Sequence, residues 1–428
     1  MQQDGPSLSE WSLTKKLVLC FFFIFFVLYI FLNPNLVVPY SYYLHKFYIQ
    51  SYVNLAAWLA RDVLHVVRPT VLFYNGTTDT VFGYINLFFI AIVASVGAVI
   101  WVIIAKKTDY NKVYNLLLTF LRYYMMATWL AYGSLKIIQV QFPPISPLTL
   151  LKSYGSSTPG ELAWAYMGYS AGYNFFIGLM EYAAGLLLFF RPTRTLGNVI
   201  GLVIITNVAA FDYTYGVNLK LLSTMLVLIT LFLLSKDIKR LAGFFLLNKA
   251  VYPVGDDSFR FKKNWKNKLL TASGYLFMVY LIFFDIKGDI ARSKPYSVSQ
   301  RPPLYGIYIV TSFIRNNDTI QPLITDTNRW NKLIVSVPGD EASVMLMSGN
   351  FKEFKFRPNT ITRKIEMWAK ADTANKYTFT YNLIKDSVLL LQGQWQRKPL
   401  EIKLKEYDMR KFPLINSRFR WVIGHGQE

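Results

Sequence analysis

The stretch Ala171-Gly-Tyr-Asn-Phe-Phe-Ile-Gly178-Leu-Met-Glu181-Tyr-Ala-Ala-Gly185-Leu-Leu-Leu-Phe-Phe190 decides how this chain is read. It is as long as the roughly 20 residues needed to span hydrocarbon. Its one charged side chain is Glu181, at the middle. A carboxyl group at that depth is costly. Such groups face a protein interior, have a partner, and mark a functional path.

Similar apolar runs occur at 17–32, 84–105, 114–138, 195–211, 219–234 and 269–284. The chain has 428 residues and is 53% hydrophobic and 17% aromatic, richer in both than a typical soluble protein. No soluble core explains seven such runs, so the sequence predicts a polytopic α-helical bundle of about seven membrane spans. The first run follows Lys15-Lys16 and leads into Asn33-Pro34-Asn35 with no small-residue cleavage site. It is therefore expected to be an uncleaved span rather than a signal peptide.

Net charge is +21, and its distribution matters more than its size. With the amino terminus inside, the inner segments hold Lys15, Lys16, Lys106, Lys107, Lys112, Arg191, Arg194 and the basic stretch 236–268. The outer loops hold only Lys46, Arg61, Arg68 and Lys152. The positive-inside rule expects this asymmetry. It puts the amino terminus in the cytoplasm and everything after residue 284 outside, with no need for a nucleic-acid partner. The single cysteine, Cys20, excludes an internal disulfide and a thiol-redox pair.

The chain divides into a cytoplasmic tail (1–16) and two spans with an outer amphipathic segment at 41–67 (17–112). Next come a four-helix bundle (113–235), then a basic segment with the last span (236–287), and an extracytoplasmic domain (288–428). Asp79 or Thr80 is expected to cap the second span. In the outer loop 139–170, Pro143-Pro144, Pro147 and Pro159-Gly160 are expected to stop regular structure. Its aromatic end, Trp164 to Tyr169, reads as an interfacial belt or as a lid. The stretch 236–250 alternates basic and apolar residues and is expected to lie on the inner leaflet.

From Tyr305 onward the period changes to two. Candidate strands lie at 306–314, 332–337, 343–347, 353–357, 360–368, 378–383, 388–392 and 400–405. Turn signals such as Asn316-Asn317-Asp318 and Pro338-Gly339-Asp340 separate them. Eight short strands predict an all-β domain, either a sandwich or a small barrel.

The intramembrane polar candidates are Arg122, Lys136, Glu181, Asn207 and Asp212. Measured from the inner helix ends, Arg122 and Glu181 come to similar heights of about 15 Å, so they are expected to pair. Lys136 and Asp212 would make a second, wetter pair near the outer face. The Arg122–Glu181 pair can fix helix register, or the four groups can line a cavity that binds a polar head group or passes protons. His45, His65 and His425 lie in no span, which excludes a haem held between membrane-helix histidines. No metal or flavin signature and no phosphate loop is present. Arg329-Trp330 and Phe419-Arg420-Trp421 can form cation–π contacts.

Three features together resemble the DoxX family of small bacterial membrane proteins. They are Arg122…Gly133…Lys136 in one helix, Gly178-Leu-Met-Glu181-Tyr-Ala-Ala-Gly185 in the next, and the turn Arg191-Pro-Thr-Arg194. The resemblance covers about 113–235, and Arg122, Lys136, Glu181 and Arg194 map directly onto the family pattern. The first two spans, the seventh and the β domain lie outside it, as in longer DoxX-like proteins of Bacteroidetes-type bacteria. The resemblance implies an inner-membrane location and a link to quinone-linked oxidation and membrane oxidoreductase complexes. Two functions follow as expectations. One is a redox-associated subunit binding a quinone or lipid head group, with electrons supplied by a partner. The other is a non-enzymatic scaffold in membrane lipid whose β domain binds an envelope protein.

Overall fold

Each of the seven apolar runs folds as a helix in the computed structural model. It describes residues 11–33, 37–63, 65, 78–252, 261–297, 301–337, 340–370, 372, 374–384 and 387–416, without the side chains of residues 45, 56, 59 and 60. His425 and Phe419-Arg420-Trp421 lie outside the described residues. The chain forms two compact units, residues 1–138 with 175–289, and residues 139–174 with 290–428.

The first unit is helical. Helix α1 is Leu13–Leu32, α2 Ser41–Trp58, α3 Val81–Ile104 and α4 Tyr110–Ile137. Ser12, Thr80 and Asp109 cap α1, α3 and α4 by accepting backbone N–H groups three residues on. Of the two expected caps for α3, Thr80 takes the role. The expected outer amphipathic segment appears as α2, which continues as a π-helical turn over Leu59–Val63; residues 64, 66 and 67 lie outside the described residues.

Helix α3 buries small residues, Ala94 and Ala98, on one side and leaves Phe88, Ile92, Val96, Val99 and Ile103 exposed on another. A helix apolar all round is suited to lipid. Helix α4 differs. It carries Lys112, Arg122 and Lys136, and it buries fifteen residues, Arg122 and Lys136 among them. A helix enclosed by other helices need not be apolar on every face. Accordingly, α4 is not one of the five helices long and apolar enough to cross a membrane.

In the other unit, α5 (Pro147–Leu151) and α6 (Pro159–Tyr169) occupy the loop expected to lack regular structure. Pro143-Pro144 lie outside regular structure as expected, but Pro147 and Pro159 start these helices. Each sits in a first turn, where its missing N–H goes unneeded. Ser146 caps α5, and Thr158 with Glu161 forms a complete capping box on α6. Thr158-Pro-Gly-Glu161 is that signature in the sequence.

Helix α7 (Ala171–Phe189) runs from the second unit into the first. There α8 (Arg194–Thr214), α9 (Lys220–Leu234), α10 (Ile238–Phe245) and α11 (Asn264–Ser293) follow, the last turn of α11 from Ile290 falling in the second unit. Helix α10 bends 82° away from α9. It carries the basic and apolar residues of the stretch expected to lie on a membrane surface, with Phe244 and Phe245 exposed. The last span was expected to end at residue 284; α11 continues to Ser293.

The carboxy-terminal strands are β1 (Gly306–Arg315), β2 (Asp318–Thr319), β3 (Trp330–Val335), β4 (Glu341–Leu346), β5 (Phe351–Asn359), β6 (Lys364–Ala369), β7 (Lys376–Ile384), β8 (Val388–Trp395) and β9 (Lys398–Tyr407). Each of the eight longer strands corresponds to an expected one; β2 is a two-residue extra. Pairing runs β1-β3-β4-β5-β6-β7-β8-β9 and closes by antiparallel pairing of β1 with β9. The domain is therefore an eight-stranded barrel, not a sandwich. A bulge at Thr311, between Val310 and Ser312, bends β1 along the closing seam. The hairpin between β8 and β9 turns on Gln396 and Arg397, both at positive φ. Two such residues in sequence match the twist of the flanking strands.

At eight strands a barrel interior is just wide enough for side chains to fill. Here Trp330, Trp395, Phe354 and Phe379 fill it, with Trp330 edge-on to Trp395 at 5.3 Å between ring centroids. Arg329 is buried, donates to the carbonyls of Ile320 and Trp330, and sits 5.8 Å from the Phe313 ring. Arg329 thus meets the Phe313 ring, while its contact with Trp330 is to the backbone carbonyl.

Trp330 is 1% exposed. We expect Trp330→Ala to destabilise the barrel by about 3–5 kcal/mol. Amide hydrogen exchange of the full chain should show protection lost throughout β3, β4 and β8; protection unchanged there would refute this account of the core.

The Asn328 amide, followed by that of Arg329, holds the Asp326 carboxyl below its ordinary range. A carboxyl with a depressed folded pKa stabilises above its unfolded pKa, and that contribution is lost as pH falls through the folded value. Barrel protection should therefore weaken as pH drops below about 4, and Asp326→Asn should reduce that dependence.

Candidate functional site

Close approach of α4 and α7 builds the site. An added Cβ on Gly133 would lie 2.8 Å from both the Gly178 carbonyl oxygen and the Tyr182 nitrogen. One on Gly178 would lie 2.7 Å from the Gly133 carbonyl oxygen. These are backbone atoms, so no side chain can be inserted while the helices stay where they are. Gly185 faces Trp129 and Leu130 one to two turns away, which confirms the antiparallel register.

Lys136 follows Gly133 by three residues, and Glu181 follows Gly178 by three. Helical side chains lean toward their own amino terminus. In an antiparallel pair, both therefore lean back toward the glycine crossing. Lys136 Nζ lies 2.8 and 2.7 Å from the two Glu181 carboxylate oxygens, and the side chains are 6% and 2% exposed. Tyr132 places its ring 5.6 Å from the same ammonium.

This corrects the expected pairing. Glu181 pairs with Lys136, and Arg122 is buried elsewhere on α4. The glycine contacts offset Arg122 from Glu181 by roughly two to three helical turns. Run ends marked by hydropathy do not fix helix register; the points of closest backbone approach do.

Asp212, near the end of α8, is 4% exposed. Its carboxyl lies in the electrostatic field of Asp79, Lys220 and Lys136. Its Oδ2 has no hydrogen-bond partner among the described residues. The expected Lys136–Asp212 pair is not the one formed: Lys136 pairs with Glu181, and Asp212 is reached only by its longer-range field. Asn207 departs from expectation and is exposed. It lies five residues before Asp212, about 140° around the helix, so the two cannot share a face. Arg194 opens α8.

Three further features were not read from the sequence. Asp79 caps α9 from a distance, accepting the Lys220 and Leu221 amides at 3.0 and 2.9 Å and the Lys220 ammonium at 3.2 Å. Helix α9 has no capping side chain of its own. Ser134, two residues before Lys136, hydrogen-bonds Asp289 on α11, and Asp285 is buried one turn earlier. The spacing of Asp285 and Asp289 was a readable signal once α11 was known to extend past residue 284. Finally, buried Asp237 accepts from Thr195 at 2.8 Å and pairs with Arg240, tying α8 to α10. Among the described residues, no three His, Cys, Asp or Glu are grouped for a metal ion.

Fold and site define a class: a bundle of apolar helices with a buried, acid-rich polar cluster, followed in the chain by an eight-stranded barrel. Over 124 residues the chain is 32% identical to the uncharacterized protein YwoB of Bacillus subtilis (strain 168), covering 29% of this chain and 79% of that protein. Through this segment the chain belongs to the YwoB family. No family model matches the sequence, and no solved structure matches it.

Two expected outcomes test the crossing. Gly133→Leu should force α4 and α7 apart and abolish monodisperse protein, whereas Gly155→Ala, with open space around it, should be neutral. Lys136→Met should cost about 3–5 kcal/mol by leaving a buried carboxylate unpaired. The double change Lys136→Met with Glu181→Leu should recover most of that in thermal unfolding. A double variant no better than the single would show that the pair is not the source of the cost.

Proposed function

We propose that this is a multi-pass inner-membrane protein of DoxX-like type that serves as a redox-associated subunit. Its amino terminus would be cytoplasmic, and its barrel would be displayed on the periplasmic side. The bundle would bind the polar head of a quinone or lipid beside Lys136, Glu181 and Asp212. The five long apolar helices, together with the bent α9–α10 pair, support membrane insertion. The burial of fifteen α4 residues supports counting α4 as a further, central span.

The observation that carries the site is Asp212. The Lys136–Glu181 pair satisfies itself, and alone it would be a structural clamp. Asp212 is buried with one carboxylate oxygen lacking a donor, which makes it the group able to accept a proton or a hydroxyl from a bound head group. A quinone would supply the electron and proton carrier. The chain's own residues would orient its carbonyl oxygens and hold the proton, with Lys136 as donor and Asp212 as acceptor.

The glycine crossing favours a second reading, a scaffold in which the charged cluster only locks the bundle and the barrel binds an envelope partner. Absorption spectra and mass analysis of small molecules extracted from detergent-purified protein separate the two. The redox reading expects a stoichiometric quinone or other head-group ligand, with at least about tenfold less retained in a folded Asp212→Asn variant, the loss of one charged hydrogen bond. A colourless protein carrying only bulk lipid, unchanged by Asp212→Asn, would favour the scaffold.

A further inference from the structure

The second unit contains a cleft of about 890 Å³ that the intramembrane site does not use. Its volume falls in the range of small-molecule sites, roughly 300–1,000 Å³. Two features give it a chemical character. Its charged lining side chains are Arg301 and Arg410, with no acidic residue between them. Tyr169, Tyr296 and Tyr305 supply aromatic surface with polar tips, and Val337, Leu414 and Ile415 contribute aliphatic surface.

The arginines are unequal. Arg410 is held by Asp408 through two hydrogen bonds of 2.9 and 3.0 Å. Arg301 makes no ion pair among the described residues and stacks 4.6 Å above the Tyr305 ring. A guanidinium laid on an aromatic face keeps its donor edge open and pre-oriented for a bidentate anion such as phosphate.

Chain position gives the source of the anion. Tyr169, Ser170 and Ala171 line the cleft where α7 begins, and Tyr296 lines it where the helical run Asn264–Tyr296 ends. Both runs are long and apolar enough to cross a membrane. On the membrane reading above, on which this inference rests, the cleft opens where two spans meet the head-group layer. Tyrosine and arginine are suited to that layer.

We propose that this cleft seats an anionic membrane phospholipid, its phosphate on Arg301 and its first acyl carbons on Val337, Leu414 and Ile415. The test uses full-length protein in detergent and short-chain phosphatidylglycerol below its micelle concentration, with short-chain phosphatidylcholine and inorganic phosphate as comparisons. Saturable phosphatidylglycerol binding is expected. It should weaken about tenfold in Arg301→Gln, the loss of one charge-assisted contact, and comparably in Ile415→Asp, which spoils only the apolar end. Phosphatidylcholine should bind more weakly, and inorganic phosphate should not compete.

Binding unaltered in both variants would overturn the proposal. Competition by inorganic phosphate alone would replace the lipid with a free anion. Carbonate extraction of cell membranes, run in parallel, shows separately whether the chain is integral. A protein that extracts would remove the membrane reading, and one that stays in the pellet without binding phosphatidylglycerol would remove only this site.

Discussion

The contact of Gly133 with Gly178 is the constraint on which the helical unit depends. Two backbones at van der Waals distance leave no space for side chains at the crossing, so the nearest polar groups on each helix are forced into one small volume. Lys136 and Glu181 meet there because each follows its glycine by one turn and leans back toward it. Desolvating two charges is costly, and their attraction compensates only with good geometry. The bidentate contact supplies that geometry, and Ser134 with Asp289 extends the polar cluster to α11. The pair therefore records where α4 and α7 must cross, and every other group at the site is placed relative to it.

Asp79 is a second constraint of the same kind. Helix α9 begins at Lys220 without a capping side chain, and the carboxylate that satisfies its first amides comes from the segment before α3. A cap supplied across such a sequence distance couples two helix ends more firmly than packing of apolar faces, which can slide. It also places a negative charge at the positive end of the α9 dipole, in the same field as Asp212.

Hydrophobic period revealed the elements. The seven apolar runs and the eight alternating stretches each became one helix or strand, because burial and lipid exposure both act on local pattern. Long-range register was not legible in the same way. Run ends put Arg122 opposite Glu181, although the crossing is set by Gly133 and Gly178 in the same two helices. Proximity in sequence groups Asn207 with Asp212, although the helix turns one away from the other. Proline content alone marks 139–170 as irregular, but the caps Ser146 and Thr158 turn Pro147 and Pro159 into helix starts. Barrel or sandwich could not be chosen locally, since the choice lies in whether β1 meets β9, and that is a property of the whole domain.

That closing seam has a consequence for how the chain is made. The first strand of the barrel pairs with the last, from Ile307 opposite Tyr407 to Arg315 opposite Leu400. While synthesis has not yet delivered β9, both β1 and β8 present bare edges, with Val310, Phe313, Leu389 and Leu391 lacking their enclosing neighbours. Open edges of this sort recruit other strands. The domain is thus vulnerable for nearly the whole time it takes to appear, and it becomes safe only with its final strand. Selection on the last hairpin, Trp395 to Lys398, then acts on the speed of sealing as well as on the stability of the finished barrel.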